Sequence, residues 1–246
     1  MNSRLNIVSS CILLILVFSA YGSTAESHFQ TGIQAYEQGD YETAKTEFER
    51  AVIIDEGPAA RHNLGLAELK LDHPAQAIWQ LERALLLDPL NRDYRNKLNL
   101  VREQLGLSTS PVKWYYQLSQ IVSIRVWLMV TTVSFWLLIA VVILPLINKR
   151  PTTGRIRLLQ LSFALISALS AAALWLNLAH LKTGIVCSEE TFSLHAAPAS
   201  AAPENGFARP GERARILNRH NGFYQIKTES TATGWISKDS FRPLAD

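Results

Sequence analysis

Two long apolar stretches divide the polar part of the chain. Residues 126–147 and 158–181 contain no charged side chain. As a helix, at about 1.5 Å per residue, the first stretch would extend roughly 33 Å, close to the ~30 Å hydrocarbon core of a bilayer. Because a chain of 246 residues cannot supply a globular shell around both stretches, we predict two transmembrane helices.

A third, shorter apolar run lies at the N-terminus. Residues 1–25 have the three parts of a secretory signal peptide, namely the basic start MNSR, the apolar run IVSSCILLILVFS and a small-residue tail. Ser23 and Ala25 are spaced for cleavage, so we predict a cut after Ala25 and export of the residues that follow. An uncleaved membrane anchor is the alternative.

The connector between the two apolar stretches is strongly basic. Residues 148–157 (NKRPTTGRIR) contain Lys149, Arg150, Arg155 and Arg157 and no acid. Short loops rich in Lys and Arg stay in the cytoplasm. The connector is therefore predicted to be cytoplasmic and both polar segments extracytoplasmic, in agreement with the signal peptide.

The first polar segment, 26–107, contains a repeated helical pattern. Residues 31–55 align with residues 64–88 at a period of about 33, with Gly32 over Gly65. Small residues at fixed offsets let two antiparallel helices approach closely, and larger ones fill the space between hairpins. The other matched pairs are Ala44 with Ala77, Phe48 with Leu81, and Ala51 with Ala84.

This pattern resembles the tetratricopeptide repeat. Asp88-Pro89 supplies the proline that ends a repeat in that family, whereas His28 and Arg61 stand where its first helix usually has a large aromatic residue. The resemblance implies a small all-α solenoid.

Turn residues indicate where the helices begin and end. Asp40 and Asp72 are predicted to be N-caps of the second helix of each repeat. Asn91 is predicted to cap a closing helix that stops near Gly106.

In the tetratricopeptide family, the first helix of each repeat lines a concave groove that binds peptides. The resemblance therefore implies a partner-binding groove on two of the helices. Packing between helices explains Leu66 and Leu69 equally well. The groove residues would be Phe29, Ile33, Tyr36, His62, Asn63, Leu66, Leu69 and Lys70.

The segment before the first apolar stretch, 108–125, is predicted to be an interfacial lead-in, because Trp114, Tyr115 and Tyr116 suit the headgroup belt. Within the second stretch, small residues recur at helical spacing. They favour close helix contact, either within the hairpin or with another membrane protein. These residues are Ala164, Ala168 and Ala172.

The second polar segment, 182–246, has the pattern of a small β domain. Polar and apolar residues alternate on both sides of Asn221-Gly222, a strong hairpin signal. The order of strands and turns resembles the bacterial SH3 domain, a five-stranded barrel, and Gly234-Trp235-Ile236 is its best mark. Departures from the family pattern occur at His195, Phe223 and Ser230-Thr231.

Bacterial SH3 domains often bind cell-wall peptides or proteins through an aromatic groove. The competing interpretation is that Trp235 packs in the core of the barrel and binds no ligand. The resemblance implies a ligand surface made of Tyr224, Trp235 and Phe241.

Composition and motifs exclude several function classes. The net charge is only +3, and neither polar segment has a basic patch interleaved with aromatic residues, so we predict no nucleic-acid binding. The sequence has no nucleophile elbow, His-Glu-x-x-His motif, phosphate loop or peptidase-like Cys/His pair. We predict no enzymatic activity, no cofactor and no metal site. After cleavage Cys187 is the remaining cysteine, either paired with another chain or packed as a small residue.

The order of these segments resembles the E component of the bacterial aerotolerance (Bat) family. The resemblance implies a multi-domain membrane protein in the bacterial inner membrane, with a solenoid, a transmembrane helical hairpin and an SH3-like barrel. It also implies partners that include membrane proteins with von Willebrand A domains and a MoxR-type ATPase. A non-enzymatic scaffold in an envelope or oxidative-stress complex is the first hypothesis, and a sensor that binds peptidoglycan is the alternative.

Overall fold

The computed structural model describes residues 24–108, 122, 124–147 and 153–245. Nearly all of the predicted signal peptide, most of the predicted lead-in and residues 148–152 of the connector lie outside the described residues. The chain divides into two compact units. One contains the N-terminal helices together with the C-terminal sheet, and the other contains the two apolar helices.

Five helices form the N-terminal part of the first unit. Short connections join them into two helical hairpins followed by a closing helix, as the repeat pattern predicts. The helices are α1 (24–37), α2 (Tyr41–Ile54), α3 (Pro58–Lys70), α4 (Pro74–Leu87) and α5 (Arg92–Gln104).

The matched small and large residues form the helical cores. Phe48 and Leu81 are both fully buried, and so are the alanines matched with one another on α2 and α4. A Cβ atom added at Gly32 would lie 2.6 Å from a ring carbon of Phe48, and one added at Gly65 would lie 3.1 Å from Cγ of Leu81. The glycines thus let the first helix of each hairpin approach the second.

Two of the three predicted caps are confirmed. The Asp40 carboxylate accepts a hydrogen bond from the Thr43 N–H, and the Asn91 side chain accepts from the N–H groups of Asp93 and Tyr94.

The predicted cap at Asp72 is wrong. Asp72 lies in the left-handed region, with φ of 63°. Proline favours the first helical position, so Pro74 places the N-cap at His73, one residue later than predicted.

Seven strands form one antiparallel sheet in the C-terminal part. The predicted hairpin is present: Asn221 and Gly222 have φ of 39° and 83°, as a two-residue turn with two positive φ angles requires. The sheet order is β3-β2-β6-β5-β4-β1-β7. The strands are β1 (Thr183–Val186), β2 (Phe192–His195), β3 (Glu204–Ala208), β4 (Arg213–His220), β5 (Phe223–Thr228), β6 (Thr233–Ser237) and β7 (Phe241–Pro243).

The second unit is a pair of apolar helices, Ile124–Ile147 and Gly154–Leu181. Both are long and apolar enough to cross a membrane. Thr131 donates a hydrogen bond to Ser170 Oγ over 3.0 Å, and Ser170 is 1% exposed, so a polar contact joins the pair.

Candidate interaction surfaces

The predicted groove residues of α1 are half-buried on the first hairpin. Phe29, Ile33 and Tyr36 pack against its core, and the rings of Phe29 and Phe48 lie 5.8 Å apart. The Tyr36 ring meets the Tyr41 ring edge-on at 5.2 Å. These side chains therefore combine a packing role with a partly exposed apolar surface.

On α3, His62 stacks on the ring of Tyr94 from α5, with centroids 4.4 Å apart and planes 24° apart. Burial lowers the pKa of His62, and the hydrogen bond to Asn63 acts in the opposite direction. Tyr94 was not predicted from the sequence, and it extends the surface from α3 to the closing helix.

The other three predicted residues of α3 differ in their surroundings. Lys70 is exposed, and its ammonium lies 5.7 Å from the centre of the Tyr41 ring. Leu66 is half-buried. Leu69 packs against the core between the helices and the sheet, so packing explains it better than a groove does.

Two of the three predicted ligand residues in the sheet face its core. Phe241 is 1% exposed and Tyr224 is 8% exposed. Their rings lie 5.5 Å apart. Phe241 is therefore not part of a ligand surface, because it fills the space beside Gly184 in the sheet core. The Tyr224 ring is covered by the guanidinium of Arg219 at 5.4 Å.

Trp235 points to the other side of the sheet. It alternates along β6 with buried Gly234 and Ile236 and is itself half-buried. In the strand register it lies between His195 and Gln225. The ring of His220 lies 6.4 Å from the Trp235 ring. These two rings form an aromatic patch on the outward side of the sheet.

The helices and the sheet share a hydrophobic core, which the sequence did not reveal. We call this region the seam. Side chains of α4, of α5 and of the segment after α5 meet the first strand and the C-terminal end of the sheet. The buried seam residues are Ile78, Leu81, Leu98, Val101, Leu107, Ile185, Cys187 and Leu244.

Polar groups of α4 close the C-terminal end of the sheet. The indole N–H of Trp79 donates to the Pro243 carbonyl over 2.9 Å, and Arg83 donates to the Leu244 carbonyl. Guanidinium groups surround the indole, with Arg61 at 5.0 Å and Arg242 at 5.2 Å from its centre. Such cation–π contacts strengthen when the groups are partly desolvated.

Glu56 is the carboxylate of this arginine cluster. Its Oε1 accepts from Nε of Arg61 at 2.9 Å and from Nε of Arg83 at 3.0 Å. Burial alone would raise the pKa of Glu56, but the hydrogen bonds and charges of Arg83 and Arg61 lower it.

A second ionic cluster crosses the seam around buried Glu82. Arg213 of the sheet donates to Glu82 of α4, and this pairing raises the pKa of Arg213. Arg102 of α5 lies 3.7 Å from Glu82 and donates to Glu229 over 2.6 Å. The negative charges of Glu82 and Glu229 are thus matched by the positive charges of Arg102 and Arg213, with one acid and one base on each side of the seam.

Cys187 lies within the seam. It is 7% exposed, and burial raises its pKa to about 12 despite the opposing charge of Arg242. A thiol in this position is shielded from solvent and from other chains. Among the residues that the structure describes, no group of three or more His, Cys, Asp or Glu side chains is arranged to hold a metal ion.

Comparisons with known proteins found one family model and similar solved structures. The family model described as "Bacterial SH3 domain" matches residues 191–241. Among solved structures, the chain is similar to the Arabidopsis OM64 TPR domain, at 20% identity and a TM-score of 0.34, over 40% of this chain and 77% of that one. A search of curated proteins found no match. The structure confirms the predicted fold class, with all-α helical hairpins, two apolar helices and an antiparallel sheet that a bacterial SH3 model matches.

Proposed function

We propose that the protein is a non-enzymatic membrane scaffold whose first unit binds a protein partner through the face of α1 and α3. The observation that carries this proposal is the position of the sheet. The side-chain contacts described above attach it to α4, to α5 and to the segment after α5. A partner can therefore reach Phe29, Tyr36 and His62 without displacing the sheet.

The composition of this face suits a peptide segment with apolar anchors. Tyr36 and Phe29 offer half-buried rings on α1, and Asn63 and Lys70 offer hydrogen-bond donors on α3. Neighbouring aromatic and donor groups favour an extended segment that carries large apolar side chains and carbonyl or carboxylate acceptors.

The proposed location is a bacterial inner membrane, with the helices and the sheet outside the cytoplasm. The basic connector 148–157 and the signal-peptide pattern of residues 1–25 support this orientation. The resemblance to the aerotolerance family supports partners with von Willebrand A domains, acting with a MoxR-type ATPase.

Photo-crosslinking in intact cells tests the scaffold. A photoreactive residue at Tyr36 should capture a membrane protein with a von Willebrand A domain. The matched control is a photoreactive residue at Ile53 of α2, which is 82% exposed and outside the predicted groove. Capture of the same protein from both positions, or of nothing from Tyr36, would contradict the proposal.

A cell-wall sensor is the second candidate, and the outward position of Trp235 favours it. The full-length protein in detergent should then sediment with purified peptidoglycan, and Trp235→Ala should abolish sedimentation. Phe207→Ala is the control, because Phe207 is an exposed aromatic residue of β3. Equal sedimentation of both variants would exclude the Trp235 patch as the binding surface.

A further inference from the structure

We propose that the α4 side of the repeat is a docking surface for the C-terminal domain of the same chain, so that the segments before and after the apolar hairpin fold as one unit. This docking does not depend on any partner of the scaffold. Its basis is the chemistry of the seam.

The apolar part of the seam is built from both segments. Ile78 and Leu107 approach the sheet so closely that a Cβ atom on Gly211 would lie 2.5 Å from Cδ1 of Ile78 and 3.2 Å from Cδ1 of Leu107. Ile185 and Leu244 of the sheet are fully buried in the same cluster. Separated from each other, the two segments would expose these side chains to water, which opposes separation.

The polar part of the seam selects one arrangement. Glu82 is buried, and its carboxylate faces Arg213 of the sheet and Arg102 of α5. A buried carboxylate without its cationic partners is strongly unfavourable. A sheet docked in another register would remove Arg213 from Glu82 and Glu229 from Arg102, so both ion pairs that cross the seam would be lost.

The seam also restricts membrane topology. The two segments are joined through both apolar helices. If only one of these helices crossed a membrane, the segments would lie on opposite sides and the seam would not form. Docking therefore requires that the hairpin returns the chain to the side from which it left.

Thiol labelling of the full-length protein in detergent tests the docking, because Cys187 is buried in the seam. A Cys11→Ser background leaves Cys187 as the only thiol, since the chain has two cysteines. The comparison chain carries Glu189→Cys in a background that lacks both native thiols, because residue 189 is exposed. We expect Cys187 to react with maleimide at least 100-fold more slowly than the thiol at residue 189. Equal rates would overturn the proposal.

Charge removal then tests the pairing. Glu82→Gln and Arg213→Gln should each raise the labelling rate of Cys187 at least tenfold, and the double variant should raise it by less than the product of the two. Glu49→Gln, which removes an exposed charge on α2, should leave the rate unchanged. Effects that simply multiply would show that the two groups do not interact and would overturn the assignment.

Denaturant provides a measurement that needs no seam variant. In increasing urea, the exposure of Cys187 and the loss of hydrogen-exchange protection in α2 should occur at the same midpoint. Two separate midpoints would show two independent domains and would overturn the proposal.

Discussion

Gly32 lies against the ring of Phe48, so close that a Cβ atom at residue 32 would come within 2.6 Å of a ring carbon. Phe48 is fully buried in the core of the first hairpin. We expect Gly32→Ala to lower the free energy of unfolding by about 1–3 kcal/mol, the usual cost of overpacking a core. Urea unfolding followed by circular dichroism measures this change. Gly57→Ala is the control, because a Cβ atom there meets nothing within 4 Å, and an equal loss in both variants would contradict the prediction.

Replacing Trp79 by Phe keeps an aromatic ring but removes the N–H that bonds to Pro243. We expect a loss of about 1 kcal/mol, typical of one neutral hydrogen bond, in the free energy of unfolding. Trp235→Phe should cost less, because Trp235 lies on the outward side of its sheet. A larger effect at Trp235 than at Trp79 would show that the seam contact contributes little.

Glu212 is a buried carboxylate that joins two turns of the sheet. Its two oxygens accept from the backbone N–H groups of Arg209 at 3.1 Å and Ser230 at 2.8 Å. Burial alone would raise the pKa of Glu212, but these hydrogen bonds lower it below its ordinary value. Glu212→Gln should therefore destabilise the protein by about 1–3 kcal/mol at neutral pH.

The sign of the pH dependence follows from the lowered pKa. The stabilisation by Glu212 is fully present above the unfolded-state pKa of about 4.3, and it is lost as the pH falls through the lower folded-state value. The difference in stability between the native protein and Glu212→Gln should shrink over this acidic range. Glu190→Gln, at an exposed site, is the control, and a difference that stays constant with pH would contradict the prediction.

His62 should titrate below its ordinary pKa of about 6.5, because burial against Tyr94 disfavours the imidazolium. Its contribution to stability is fully present above that value and is lost as the pH falls through the folded-state pKa. NMR titration of histidine-labelled protein measures the shift directly. A midpoint at or above 6.5 would contradict the stacked arrangement.

Thr131 and Ser170 form a hydrogen bond between the two apolar helices. Thr131→Val should weaken the pair by about 0.6 kcal/mol, an average value for such contacts in membranes, as measured by unfolding in detergent. Ala168→Leu should leave the pair intact because Ala168 is exposed in it, so the small-residue strip faces away from the partner helix there. Disruption by Ala168→Leu would show that the strip contributes to the pair.

The sequence predicted the features that depend on residues close together along the chain. Helical periodicity and fixed offsets aligned Gly32 with Gly65 and Phe48 with Leu81, and the Asn221-Gly222 dipeptide located a hairpin. The N-cap of α4 was predicted one residue too early, at Asp72, because Asp is a favourable capping residue. Pro74 instead determines where the helix starts and makes His73 the N-cap.

Features that depend on distant residues were not predictable in the same way. Trp79 and Pro243 are 164 positions apart, and nothing in the local pattern around either residue indicates the other. Phe241 was assigned to a ligand surface because the SH3 resemblance implies an aromatic groove, and its strand, β7, has only three residues, too few for alternation to show which side faces the core. The partner-binding groove stays a prediction.

The hydrogen bond from Trp79 to Pro243 affects how whole molecules can associate. β3 and β7 are the two end strands of the described sheet, and α4 occupies carbonyl groups at the β7 end. Pairing between sheets of different molecules requires a free edge on each of them. Because Trp79 and Arg83 occupy the carbonyl groups of Pro243 and Leu244, we expect pairing through β3, which would stop at two molecules. Removing the helices would free these carbonyl groups, so we expect a chain without α4 to pair through both ends of its sheet and form open-ended fibres.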